Sequence, residues 1–271
     1  MARKLIDQVW LTGHMVIERE DGIVSNRRNG NRENKKQEEG SKRQERAQRI
    51  LDAAAELIQR WGYNKTTIDD IARQAGVAKG TIYLHWKTRE DLFEALIKRE
   101  ELVVVEDIQR RIANDPEGAT LHGLMKHSML ATMKNPLMKA VILREGDVLG
   151  ELTHKEYSTR AYEERIASFK RFFEFLRSHD LVRNDIGMRE QIYILNAVSM
   201  GVLLADPWLP DEFKVSDEEA VELMAETIKR TMEPRNAAPG AELQEVSTVF
   251  NQYIDYIVES TKEQVQKEIE L

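Results

Sequence analysis

Cysteine is missing from this chain of 271 residues. That excludes disulfides, thiolate metal sites and a cysteine nucleophile, and it fits a reducing cytoplasm. Long apolar runs are missing too. The longest are short and broken by charge, and the first residues lack the continuous apolar segment of a secretory signal, so a cytoplasmic protein without a membrane span is expected. There is no phosphate-cradling glycine loop, no alternating strand pattern of useful length and no internal repeat. No catalytic constellation stands out. Serines near His154 or His179-Asp180 lack a nucleophile elbow, while Glu163-Glu164 and Asp217 to Glu219 read as solvated faces and first helical turns. His122 and His127 lie off one helical face, which speaks against a metal site. No enzyme, cofactor or metal is indicated.

What remains is helical in period. The apolar content of 41% suits a globular protein, and the length allows two domains. The six prolines fall at breaks in the pattern: Asn114 to Pro116, Asn135-Pro136, Asp206 to Pro210 and Pro234 to Gly240, with further breaks at Gly146 to Gly150 and Asp185 to Gly187. An all-α chain is expected throughout.

The stretch Thr66 to His85, TTIDDIARQAGVAKGTIYLH, carries the most information. Thr67 with Asp70 three residues on forms a capping box, and Ile68, Ile71, Ala72 and Ala75 make an apolar stripe behind it. Gly76 can take the left-handed conformation that closes a helix, with Val77 plugging the core behind the turn. A second helix follows from Lys79, with Ile82 inward and Lys79, Thr81, Tyr83 and His85 offering donors that a mere packing helix does not need. The flanks agree. Ser41 with Gln44 reads as a capping box ahead of Ile50, Ala53, Ala54, Leu57, Ile58 and Trp61, and Thr88 with Asp91 is another ahead of Leu92, Phe93, Leu96 and Ile97.

Net charge is −7, which is unpromising for contact with phosphate until it is divided along the chain. Residues 41–100 hold twelve Lys and Arg against nine Asp and Glu, net +3, whereas 101–271 hold twenty against thirty-one, net −11. The basic excess sits with the helix pair. An acidic body would leave orientation on a duplex to the small basic head.

The capped helix, A-G-V, a small residue and K-G-T-x-Y-x-H resemble the tetracycline-repressor (TetR) family of transcriptional regulators over about sixty residues, Arg43 to Leu102. The family's usual serine or threonine is Ala78 here, which removes a side-chain cap. The resemblance implies an N-terminal three-helix helix-turn-helix domain, 41–102, and a helical ligand-binding and dimerisation domain, 103–271. It implies phosphate contacts from Thr67, Tyr83, His85 and Arg89. Lys79, Gly80 and Thr81 open the recognition helix, where Lys79 could pair with guanine and Thr81 touch a thymine methyl, Gly80 leaving room for close approach. The partners implied are a double-stranded DNA operator bound as a homodimer and a small-molecule inducer.

In the body, Met125, Met129, Met133 and Met138, with Phe169, Phe172, Phe173 and Trp208, are candidate pocket walls or simply core. The segments 189–205 and 217–232 are apolar on more than one face. Ile192, Leu195, Val198 and Val202 of the first and Val221, Met224 and Ile228 of the second are the candidate dimer interface, in the place where the family pairs two late helices. An extra helix is expected over 241–268, packing on the body or widening that interface. Residues 1–40 begin with a mildly apolar stretch. The polar SNRRNGNRENKKQEEG that follows is expected to be disordered, as a solvated tail or a flexible arm. A DNA-binding repressor responsive to a ligand is the reading these features favour, beside a small-molecule-binding or protein-interaction adaptor that has lost regulated DNA binding.

Overall fold

In a computed structural model of the chain, residues 30–145, 149, 160–234 and 240–270 are described. The chain divides into two compact units, Met1–Arg43 and Gln44–Leu271. Of the first, only the helical residues 30–43 are described, so the apolar start of the chain lies outside the described residues, as do residues 146–148 and 150 of the break expected at 146–150. The described residues form helices joined by turns: α1 (Gly30–Trp61), α2 (Ile68–Ala75), α3 (Lys79–Tyr83), α4 (Arg89–Ala113), α5 (Leu121–Met133), α6 (Pro136–Leu143), α7 (Arg160–Ser178), α8 (Met188–Leu204), α9 (Asp217–Met232) and α10 (Gly240–Glu270). None of these is long and apolar enough to cross a membrane.

The start of α1 differs from the sequence reading. Residues 30–40, expected to be disordered, are helical, so Ser41 sits inside a helix rather than capping one. The segment cannot bury a core, but its Glu, Lys, Gln and Arg are good helix formers, and no proline interrupts them. Further along α1, Ala47, Ile50, Leu51, Ala54, Leu57 and Ile58 are buried. Gly62, with φ 77°, then closes the helix by donating its N–H to the Ile58 carbonyl at 2.8 Å.

Helix α4 starts on the capping box foreseen at Thr88 and Asp91. Its first half contributes Leu92, Phe93, Ala95, Leu96 and Ile97 to one core with α1, α2 and α3, a core that also takes in Leu137 and Val141 of α6 and Val265 of α10. Its second half places Val104 and Ile108 against Ala131 and Met138. The boundary expected between residues 102 and 103 therefore falls inside one continuous helix.

Caps set the body helices in place. Asn135 accepts from the Met138 N–H at 3.0 Å to start α6, and its side-chain amide donates to Glu100 of α4 at 2.7 Å. Thr120 and Ser216 cap α5 and α9 in the same way. Helix α10 lies along α4: Gln109 donates to Asp255 at 2.6 Å, and Lys262 stands 3.6 Å from Glu106.

Candidate nucleic-acid interface

The geometry of α2 and α3 follows from local chemistry. Thr67, in extended conformation, accepts from the Asp70 N–H at 3.2 Å, and Asp70 accepts from the Thr67 N–H at 3.3 Å and from its hydroxyl at 2.5 Å. The Thr67 hydroxyl holds the Asp70 carboxyl below the usual carboxylate range. Gly76 takes φ 65° and ψ 37°, and Val77 donates back to the Ala72 carbonyl at 3.0 Å. A residue with a Cβ would be strained there. Ala78 precedes α3 without a side-chain cap, and Ile82 anchors α3 with no exposed surface.

The predicted contact residues divide. Tyr83 is 44% exposed, and Gly80 has nothing within 4 Å of where a Cβ would sit. Lys79 is exposed but engaged, its ammonium 2.8 Å from Asp69, and that bond raises the Lys79 pKa. Thr67 is likewise occupied by the capping box, and Thr81 is half-buried.

Two positions face the wrong way for phosphate. The His85 ring is only 4% exposed and lies 5.3 Å from the buried Trp86 ring. Arg89 turns inward, donating to the carbonyls of Thr66, at 3.1 Å, and of Tyr63, with its guanidinium 3.9 Å from the centre of the Tyr63 ring. The reason is geometric. Arg89, at the first turn of α4, reaches the loop between α1 and α2, where the Tyr63 carbonyl also accepts from the Thr66 N–H at 3.2 Å.

Leu84 was not foreseen. It is 72% exposed because, at about 100° per residue, it lies some 200° around the helix from the inward Ile82. That offset was available in the sequence. Lys87, three residues further on, is exposed as well.

The body candidates scatter. Met138 and Met129 are buried, Met138 beside Val104 and Ala131, while Met125, Met133 and Phe169 are half-buried. Phe172 stacks on Tyr253 of α10, ring centres 5.2 Å apart and planes 8° from parallel, so it belongs to the α7–α10 contact. Trp208 is 84% exposed and is no pocket wall. The proline-bounded loop Ala205 to Ser216 folds as two short 3₁₀ turns that carry it outward. A polar cleft of about 320 Å³ lies elsewhere, between α5 and α9, lined by Asp115, Glu117, His122, Lys126, Glu222 and Lys229 among others. His122 contacts both oxygens of Glu233 at 2.9 Å, and His127 meets Asp115 at 2.8 Å.

Four of the seven candidate interface residues turn inward. Leu195, Val221, Met224 and Ile228 are buried within the chain, the last three because the stripe Val221, Met224, Ala225, Ile228 and Met232 is the inward face of α9. Ile192, Val198 and Val202 are half-buried. The large apolar residues left exposed here are Tyr193 and Leu204 on α8, Leu223 on α9, and Trp208, Leu209, Phe213 and Val215 between them.

Residues 50–96 match the family model of bacterial regulatory proteins, tetR family. The chain is 43% identical over 63 residues to the fatty acid metabolism regulator protein of Bacillus subtilis, covering 23% of this chain and 32% of that protein. It is 29% identical over 123 residues to the HTH-type transcriptional regulator AcrR of Shigella flexneri, covering 43% of this chain and 57% of that one. The chain thus spans about a third of the first relative and just over half of the second. Among solved structures, NalD, the secondary repressor of the MexAB-OprM multidrug efflux pump in Pseudomonas aeruginosa, aligns with a TM-score of 0.48 at 20% identity, over 71% of this chain and 98% of that one.

Proposed function

We propose that this chain, whose residues 50–96 belong to the tetR family of bacterial regulatory proteins, is a homodimeric transcriptional repressor that binds a pseudo-palindromic operator and releases it when a small molecule enters the helical body. Residues 41–102 act as the DNA-binding head and 103–271 as the ligand-binding and dimerising body.

The observation that carries this reading is α4. One helix supplies Leu92, Phe93, Ala95, Leu96 and Ile97 to the head's core and then packs, through Val104 and Ile108, on the apolar group around Met138. A ligand that parts α4 from Met138 and Ala131 acts on the element the head is built on. It must bind the released conformation more tightly than the DNA-bound one, and a coupling of about 1–3 kcal/mol changes operator affinity roughly 5–150-fold. Dimerisation is supported by the exposed apolar side chains concentrated on the α8–α9 hairpin, more than a monomer needs to leave in water. Two heads are needed because recognition helices must enter major grooves about 34–36 Å apart.

Selection of bound duplexes from a random pool tests the whole reading, repeated with candidate metabolites. The expected product is a two-fold-symmetric site whose binding weakens with one class of small molecule. Binding unaffected by Tyr83→Ala would remove α3 from the interface.

A further inference from the structure

The predicted polar contacts on this head are largely committed to the protein itself. Lys79 holds Asp69 at 2.8 Å, Thr67 holds Asp70, Arg89 is bound to the carbonyls of Tyr63 and Thr66, and the His85 ring is buried. Beside the paired Lys79, α3 leaves Gly80 and Tyr83 exposed, and its C-cap, Leu84, is 72% exposed. One turn earlier stands Gly80, whose missing side chain leaves open space that no protein atom occupies within 4 Å.

We infer that α3 reads its operator by apolar contact, with the Leu84 side chain packed on the C5 methyl of a thymine in each half-site. The inference rests on the reading of the chain as a DNA-binding regulator and names the base feature read. In the major groove only thymine, among the unmodified bases, offers a methyl group. An exposed leucine gains from covering that methyl and gains nothing from the donors and acceptors of the other base edges. The exposed Lys87, three residues further on, supplies attraction to the phosphates, which sets position but not sequence. Tyr83 adds a flat amphipathic wall whose hydroxyl remains near water.

The test uses the full chain and the duplex it selects from a random pool. Each thymine of that duplex is replaced in turn by deoxyuridine, which removes the C5 methyl and nothing else, and Kd is measured by fluorescence anisotropy at two salt concentrations. For the wild type, one replacement per half-site is expected to weaken binding about fourfold, the value of one buried methyl. In Leu84→Ala and Leu84→Asn that replacement should make no difference, while the salt dependence and the binding of random duplex stay as in the wild type. The exposed position protects both variants from a folding defect, and unchanged binding of random duplex reports it. If Leu84→Ala and Leu84→Asn keep the wild-type thymine to deoxyuridine ratio at every position, or if the wild type has no sensitive thymine, the inference is overturned while DNA binding stands. Absence of any duplex binding by the wild type at low salt overturns both, and so the two failures are distinct.

Discussion

Gly80 occupies a helical position whose fold does not ask for glycine: a Cβ there would meet nothing within 4 Å. Glycine in a helix costs up to about 1 kcal/mol relative to alanine, so its presence points outward, to a surface that comes close. Gly80→Ala is expected to leave the thermal midpoint unchanged or slightly higher and to weaken operator binding. A variant that binds as the wild type does would show that nothing approaches there. Arg89 is the opposite case. Its guanidinium closes two backbone carbonyls and covers the Tyr63 ring, so Arg89→Ala should cost about 2–3 kcal/mol of stability in a denaturant titration. If it instead weakened DNA binding at unchanged stability, the side chain would be a phosphate ligand after all.

At the scale of elements, two of the three expected capping boxes were readable from sequence, Ser41 with Gln44 was not one, and the partners of faces were not readable. Thr67 with Asp70 and Thr88 with Asp91 form the boxes expected, because a cap is a contract between residues three apart and needs no tertiary knowledge. Periodicity likewise located the stripe Val221, Met224 and Ile228 on α9. It could not say that α5, rather than a second copy of the chain, covers it. A buried stripe and an association stripe have the same spacing, and only tertiary packing tells which one is turned inward. The same ambiguity hid Leu84 behind more suggestive polar neighbours, and the helical start of α1 behind a composition that reads as disorder. Opposite faces of the α8–α9 hairpin therefore predict opposite phenotypes. Val221→Ala, in the core, should cost roughly 1–3 kcal/mol of stability with no change in oligomeric state. Tyr193→Glu with Leu223→Glu should give a folded species of half the mass in sedimentation, with operator affinity down on the order of 100-fold through lost bivalency. A stable dimer carrying both glutamates would place the interface elsewhere.

Across the whole molecule, the polar cleft ties separate parts of the body together by charge. Lys229 of α9 donates to Glu117, in the turn between α4 and α5, at 2.8 Å. The bond holds the Glu117 carboxyl below its usual range, against partial desolvation, with the charge of Lys229 and contact with His122 adding to it. Burial pushes Asp115 upward, but the Glu117 N–H, His127 and Lys126 together outweigh it and leave that carboxyl lowered as well. A carboxylate whose folded pKa lies below its unfolded one stabilises the fold above the unfolded value, and that stability is lost as pH falls through the folded value. The thermal midpoint should accordingly hold from pH 7 to about 5 and fall below about pH 4, more steeply for the wild type than for Glu117→Gln. Equal slopes in the two proteins would mean that the cleft contributes nothing to acid sensitivity.

Helix α4 runs unbroken from Arg89 to Ala113, about 37 Å at 1.5 Å per residue. A rod of that length is a lever. A tilt of only about 5° about its far end carries the near end roughly 3 Å sideways, close to the rise of one base pair in each half-site. In the dimer proposed above, with both heads mounted this way, a displacement at the proposed ligand end too small to disturb the packing of the body would put the two recognition helices out of step with the turn of the double helix.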